Sequence, residues 1–167
     1  HNLCDVTRIK VPEYINNPAI CMHCYIQYSN TVITEENPIV ITAKGRCKRN
    51  EKYGFESLER LLDFTMREIV FIGKKEFVLL KRQEYIERAG EFCRVLGLEG
   101  RISLSNDPFF KKEDTIKAEF QRKFKLKYEL KLNNYDSGHS VAVGSFNYHN
   151  YNFTKSYNIK MANGNLA

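Results

Sequence analysis

Residues 45–73, GRCKRNEKYGFESLERLLDFTMREIVFIG, concentrate the side chains best suited to handling charged groups. A strand-like piece carries Arg49 and Glu51, a polar stretch brings Lys52, Glu56, Glu59 and Arg60, and a second strand-like piece carries Phe64, Arg67 and Glu68. Alternation at a period of two puts Arg49 and Glu51 on one face. It likewise groups Phe64, Met66, Glu68, Val70 and Ile72 on one face of the second piece. A strand facing only a core has no use for guanidinium and carboxylate groups at fixed places, because burying them unpaired is costly. Upstream, CMHC sets Cys21 and Cys24 in a C-x-x-C with His23 between. A zinc ribbon needs a second close pair, and Cys4, Cys47 and Cys93 are too scattered to supply one.

The elements that must position these groups follow from periodicity. Residues 38–44 (PIVITAK) read as a short strand and residues 64–72 as an alternating one. Between Lys75 and Leu96 the apolar residues Val78, Ile86, Ala89, Phe92, Cys93 and Leu96 recur at helical spacing, and Gly97 and Gly100 stop the helix. Cys93 on that apolar face is read as core. RISLS at Arg101 is strand-like, and NDPFF at Asn106 is a loop. A long strand is expected from about Ala118 to Leu132, with Phe120, Phe124, Leu126, Tyr128, Leu130 and Leu132 alternating with polar residues. After a turn at Asn133, residues 140–149 form another strand with Val141, Val143, Ser145 and Asn147 on one face. The expected fold class is α+β, an antiparallel sheet flanked by helices, because a parallel doubly wound fold needs more helices.

The 167 residues suffice for one domain with a core, taken as residues 1–167. No apolar run approaches the ~18 residues needed to span a bilayer, and residues 1–10 lack a signal-peptide apolar region. Five cysteines, an odd number without secretory context, point to reduced thiols and a cytoplasmic protein. The formal net charge of +6 suits polyanions such as nucleic acid, ATP or an acidic protein, without choosing among them.

The order Arg49-Asn50-Glu51, polar loop, Phe64-Thr65-Met66-Arg67-Glu68 resembles motif 2 of class II aminoacyl-tRNA synthetases. SNDPFF, QRKFKLKYEL and SFNYHNYNF, in that order, make the chain similar to amino acid:[carrier protein] ligases, truncated relatives of the atypical zinc-dependent seryl-tRNA synthetases. The resemblance runs from about Pro18 to Asn165. It implies adenylation of a small amino acid by ATP and transfer to the phosphopantetheine thiol of a carrier protein. The carrier is expected to be acidic, which suits a chain of charge +6. By the same match Arg49 bridges the substrate carboxylate and the α-phosphate, a task for a rigid guanidinium fork. Glu51 accepts from the adenine amino group, Phe64 stacks on adenine and Arg60 reaches the outer phosphates. Glu129 and Asn147 are candidates for the substrate pocket.

PAIC at Pro18 resembles the segment that supplies the first zinc cysteine of that family. Zn²⁺ is then held by Cys21, Glu68 and a further cysteine, with the substrate amine in the open position. In ordinary seryl enzymes the glutamate matching Glu68 holds the amine directly. The third ligand lies in a GC after a segment like NGNLA, and the motif 3 arginine follows it; neither occurs in these residues. Motif 1, which builds a homodimer, is also absent, so the chain is expected to be a partial catalytic core, incomplete at both ends. Mg²⁺ is implied but has no assigned ligand, because Val141 to Gly144 carry no acidic residue. The alternatives are seryl-tRNA synthetase-type tRNA charging and a non-catalytic synthetase paralogue. No tRNA-binding arm lies within these residues, so tRNA is not expected as a partner.

Overall fold

A computed structural model describes residues 13–49, 60–106, 115–135 and 138–167. Elements form in the order α1 (Cys21–Gln27), β1 (Val32–Ile33), β2 (Ile39–Lys48), β3 (Asp63–Ile72), α2 (Lys75–Val95), β4 (Gly100–Leu104), α3 (Thr115–Lys123), β5 (Lys127–Asn133), β6 (Ser140–Asn147), α4 (Asn152–Ser156) and β7 (Lys160–Met161). The chain is α+β, with antiparallel sheets and helices. Among the described residues, though, the expected single sheet is divided: β2 pairs with β3, β4–β5–β6 form a second antiparallel sheet, and β1 pairs parallel with β7.

The β2–β3 ribbon is longer than the strand expected over residues 38–44. Its register sets Ala43 opposite Glu68, Gly45 opposite Met66 and Cys47 opposite Phe64. Directly opposed residues share a face, so alternation carries Ile39, Ile41, Ala43, Gly45 and Cys47 inward with Phe64, Met66, Glu68, Val70 and Ile72. Gly45 lets Ile20, the residue that leads into α1, pack close on the ribbon: a Cβ would sit 2.6 Å from Ile20 Cδ1, and the Ile20 side chain would have to shift.

α2 matches the expected helix and ends as expected. Gly97 adopts a left-handed φ of 66°, and Leu98 N–H closes back on the Cys93 carbonyl at 2.9 Å. Cys93 is buried, but Phe92 is 63% exposed and Leu96 is also exposed, so the apolar stripe is narrower than its spacing suggests.

Two expectations fail. The long strand from Ala118 does not form; residues 115–123 are α3, and the strand starts at Lys127. Phe120 and Phe124 suit both periods, being four apart. The helix brings their rings to 4.3 Å, and Lys125 at φ 50° turns the chain out of it. On β6, Val141 does not share a face with Ser145 and Asn147. The ladder slips between Leu130 and Lys131, pairing Leu130 with Gly144 and Lys131 with Ala142, so Val143 is an extra residue. Val141 therefore lies with Leu132, Leu130 and Tyr128, while Ser145 and Asn147 lie with Glu129 and Lys127 on the polar face.

The buried cluster joins α1 (Cys24, Tyr25), the end of β3 (Val70, Ile72) and the β1–β7 pair with its neighbours (Ile33, Ile159, Met161). α2 lies against both antiparallel sheets: Phe71 of β3 meets Phe77 and Tyr85, and Arg82 lies 5.3 Å over the Tyr128 ring of β5. Arg82 also donates to the Lys125 carbonyl at 2.8 Å, fixing the turn that ends α3.

Candidate active site

The position of α1 is set by the end of β2. Lys48 N–H donates to the Asn17 carbonyl at 2.9 Å, and Arg49 Nε donates to the Pro18 carbonyl at 2.9 Å. α1 starts immediately after this anchored turn, and its three- and four-residue spacings turn Cys21, Cys24 and Tyr25 to one side. That side faces the inward face of β3, where Glu68 stands.

Cys21 and Glu68 meet there, the thiol hydrogen-bonding the carboxylate. Burial, then the Glu68 charge and this hydrogen bond, push the Cys21 thiol up to about 12. Burial and Glu68 also raise Cys24, and Tyr25 moves upward through burial and the acidic groups around it. Glu68 Oε2 is buried and has no hydrogen-bond partner. A half-satisfied carboxylate beside raised thiols is short of positive charge, and a divalent ion that deprotonates a thiol supplies it. Zn²⁺ takes such sulfur and oxygen donors. Cys21 and Glu68 fit two of its positions. Among the described residues no three His, Cys, Asp or Glu side chains form a group able to hold a metal ion.

A groove of about 860 Å³ runs between β3 and β6 and brings together Cys21, Arg49, Phe64, Glu68, Glu129 and Asn147. Arg60 is not among its lining residues, and Glu51, with the loop around it, lies outside the described residues. Arg49 is exposed, its guanidinium 5.1 Å over the Phe64 ring and 3.7 Å from Met66 Sδ. Arginine and ring thus occupy one end of the groove and Cys21 with Glu68 another part of it.

Glu129 is already provided for. It accepts from Ser105 Oγ at 2.8 Å and pairs with Lys127 at 3.0 Å and Lys131 at 3.4 Å. Burial pushes its carboxyl up, but these hydrogen bonds and the lysine charge outweigh it, and the group lies below its ordinary range. Asn147 donates to Ser145 Oγ at 3.0 Å on the same polar face.

Sequence reasoning missed Tyr25. Its ring lines the groove beside these groups and stacks on Phe153 at 4.4 Å. Reading CMHCY as a helix would have found it, since Cys21 and Tyr25 are four apart.

No family model matches the chain. The chain is 31% identical over 161 residues to amino acid–[acyl-carrier-protein] ligase 1 of Bradyrhizobium diazoefficiens, covering 96% of the chain and 49% of that protein. It is 39% identical over 110 residues to ligase 2 of the same organism, covering 66% of the chain and 33% of that protein. It is 32% identical over 160 residues to the type-2 serine–tRNA ligase of Methanocaldococcus jannaschii, covering 91% of the chain and 30% of that protein. The chain therefore spans half or less of the length of these curated relatives.

Proposed function

We propose that this chain, a homologue of amino acid–[acyl-carrier-protein] ligases and of type-2 serine–tRNA ligases, is part of the catalytic core of a class II synthetase-like ligase. The enzyme activates a small amino acid and passes it to a carrier protein. In the first step the amino acid carboxylate oxygen bonds to the α-phosphorus of ATP, and the α–β anhydride bond breaks to release pyrophosphate. In the second, the phosphopantetheine thiol, losing its proton, bonds to the activated carbonyl and AMP leaves. The observation that carries this reading is the 31% identity to an amino acid–[acyl-carrier-protein] ligase along 96% of the chain.

In this reading Arg49 stabilises charge that builds between carboxylate and α-phosphate, a task of positioning and electrostatics. Phe64 offers its ring to adenine, which requires the Arg49 guanidinium to move off that face. Arg60 and Glu51 keep their proposed roles at the outer phosphates and the adenine amino group, and Asn147 its role in the substrate pocket. Glu129, tied to Ser105 and two lysines, is proposed to order that polar face. Cys21 and Glu68 would hold Zn²⁺, which when bound supplies an electrophilic position for the substrate amine. Mg²⁺, a homodimer and a cytoplasmic location belong to the same proposal; the thiols of Cys21, Cys24, Cys47 and Cys93 are free. Among the described residues no helix is long and apolar enough to cross a membrane.

Transfer to tRNA is the second reading, favoured by type-2 serine–tRNA ligases that match at 32% and 30% identity. The test is pyrophosphate exchange by the protein containing this chain with each of the twenty amino acids. It is followed by transfer assays offering a phosphopantetheine-bearing carrier protein or tRNA. Exchange with one or a few small amino acids and labelling of the carrier are expected. Labelling of tRNA alone overturns the carrier reading, and no exchange with any amino acid overturns both.

A further inference from the structure

Tyr25 is 7% exposed, yet it lines the open groove. Its ring lies nearly parallel to two others, Phe153 at 4.4 Å and 6° and Tyr157 at 6.1 Å and 10°. Such a three-ring stack has little freedom to yield to a bulky group. The ring stands one helical turn from Cys21, and Cys21, Cys24 and Glu68 all lie within electrostatic reach of its hydroxyl. No hydrogen bond from that hydroxyl is formed with any described residue. Tyr25 thus lines the same groove that holds the buried, unpartnered Glu68 Oε2. Buried polar groups ordinarily find partners, and the unpartnered Glu68 carboxylate oxygen beside this ring points to a ligand in the groove.

We propose that Tyr25 is the specificity residue of the amino acid pocket: its clamped ring walls the groove beside Glu68 and limits the substrate side chain to a small one, and its hydroxyl bonds the bound substrate. The proposal rests on the amino acid-activating reading above and adds to it the residue that sets substrate size. A tyrosine ring removed from the groove wall leaves room for several methylene groups, and each methylene accommodated or excluded in an apolar site is worth roughly 10- to 200-fold in discrimination.

The experiment is pyrophosphate exchange by the complete protein, wild type against Tyr25→Ala, Tyr25→Phe and Phe153→Leu, over a series running from glycine to leucine. Tyr25→Ala is expected to raise kcat/KM for valine or leucine, relative to the preferred small substrate, by about tenfold or more. Tyr25→Phe keeps the ring, so it should keep the size limit while raising the amino acid KM and leaving the ATP KM alone. Phe153→Leu loosens the ring without touching it and should relax the size limit more weakly. Thermal melting identifies variants that remain folded. Should Tyr25→Ala not fold, Tyr25→Leu and Phe153→Leu decide the matter. An unchanged preference series in folded, active variants overturns the proposal while leaving amino acid activation standing; a wild-type protein that exchanges with no amino acid overturns the reading beneath it.

Discussion

Replacing Glu68 by glutamine separates a substrate-handling carboxylate from a merely structural one. Glu68 stands opposite Ala43 on the inward face of the β2–β3 ribbon, takes the Cys21 hydrogen bond on one side and leaves Oε2 buried without a partner. Glutamine keeps the size and one acceptor but removes the charge. The lost charge weakens the hold on the substrate amine, whether direct or through Zn²⁺; a hydrogen bond to a charged group contributes about 1.5–3 kcal/mol, so the amino acid KM should rise roughly tenfold to 150-fold or more. The ATP KM should be unchanged, because Phe64 and Arg49 are untouched. The thiol supplies a second readout independent of activity. Burial is the first cause of the raised Cys21 value and the Glu68 charge the second. In the metal-free variant Cys21 should therefore titrate below about 12 but still above its ordinary 9.0, because burial remains. A thiol raised on folding stabilises the protein fully below its unfolded value and loses that contribution as pH climbs to the folded one. With metal removed, the wild type should thus lose stability more steeply than Glu68→Gln between pH 9.0 and about 12. Exchange kinetics with amino acid and ATP varied separately, thiolate absorbance against pH, and melting temperature complete the assay. Unchanged amino acid KM with an unchanged Cys21 titration would refute both the contact and the proposed role.

Arg49→Ala should reduce amino acid activation on the order of 10²-fold or more, as loss of one transition-state donor does; exchange within tenfold of wild type contradicts the assignment. Phe64→Ala should raise the ATP KM roughly tenfold to hundredfold, since stacking on a base is worth about 1–3 kcal/mol. A drop in melting temperature with unaltered ATP affinity would make Phe64 a packing residue only. The complete protein should bind one Zn²⁺ per chain and lose it, with activity, in Cys21→Ser, while Cys93→Ser should cost only stability; metal analysis showing full retention in Cys21→Ser excludes Cys21 as a ligand.

Much of the local structure was legible because it is written in periodicity. Alternation over residues 64–72 set Phe64 and Glu68 on one face, and the apolar repeat with Gly97 marked α2 and its end. Pattern failed where it was degenerate or where a ladder slipped. Phe120 and Phe124 satisfy a helix as well as a strand, and only the ring contact and the turn at Lys125 chose the helix. The bulge at Val143 changes which face every later residue occupies, and no alternation within β6 alone announces it, because a bulge is a property of the pair of strands. The segments SNDPFF, QRKFKLKYEL and SFNYHNYNF carried the likeness to the two ligase types, since such a likeness depends on residue order alone. That Cys21 meets Glu68 across more than forty residues, that Arg49 covers Phe64, and that Tyr25 is clamped beside them were decided only by the tertiary structure. These contacts are set by how α1 is anchored to the end of β2 and by which rings close over it, distances that no spacing along the chain contains.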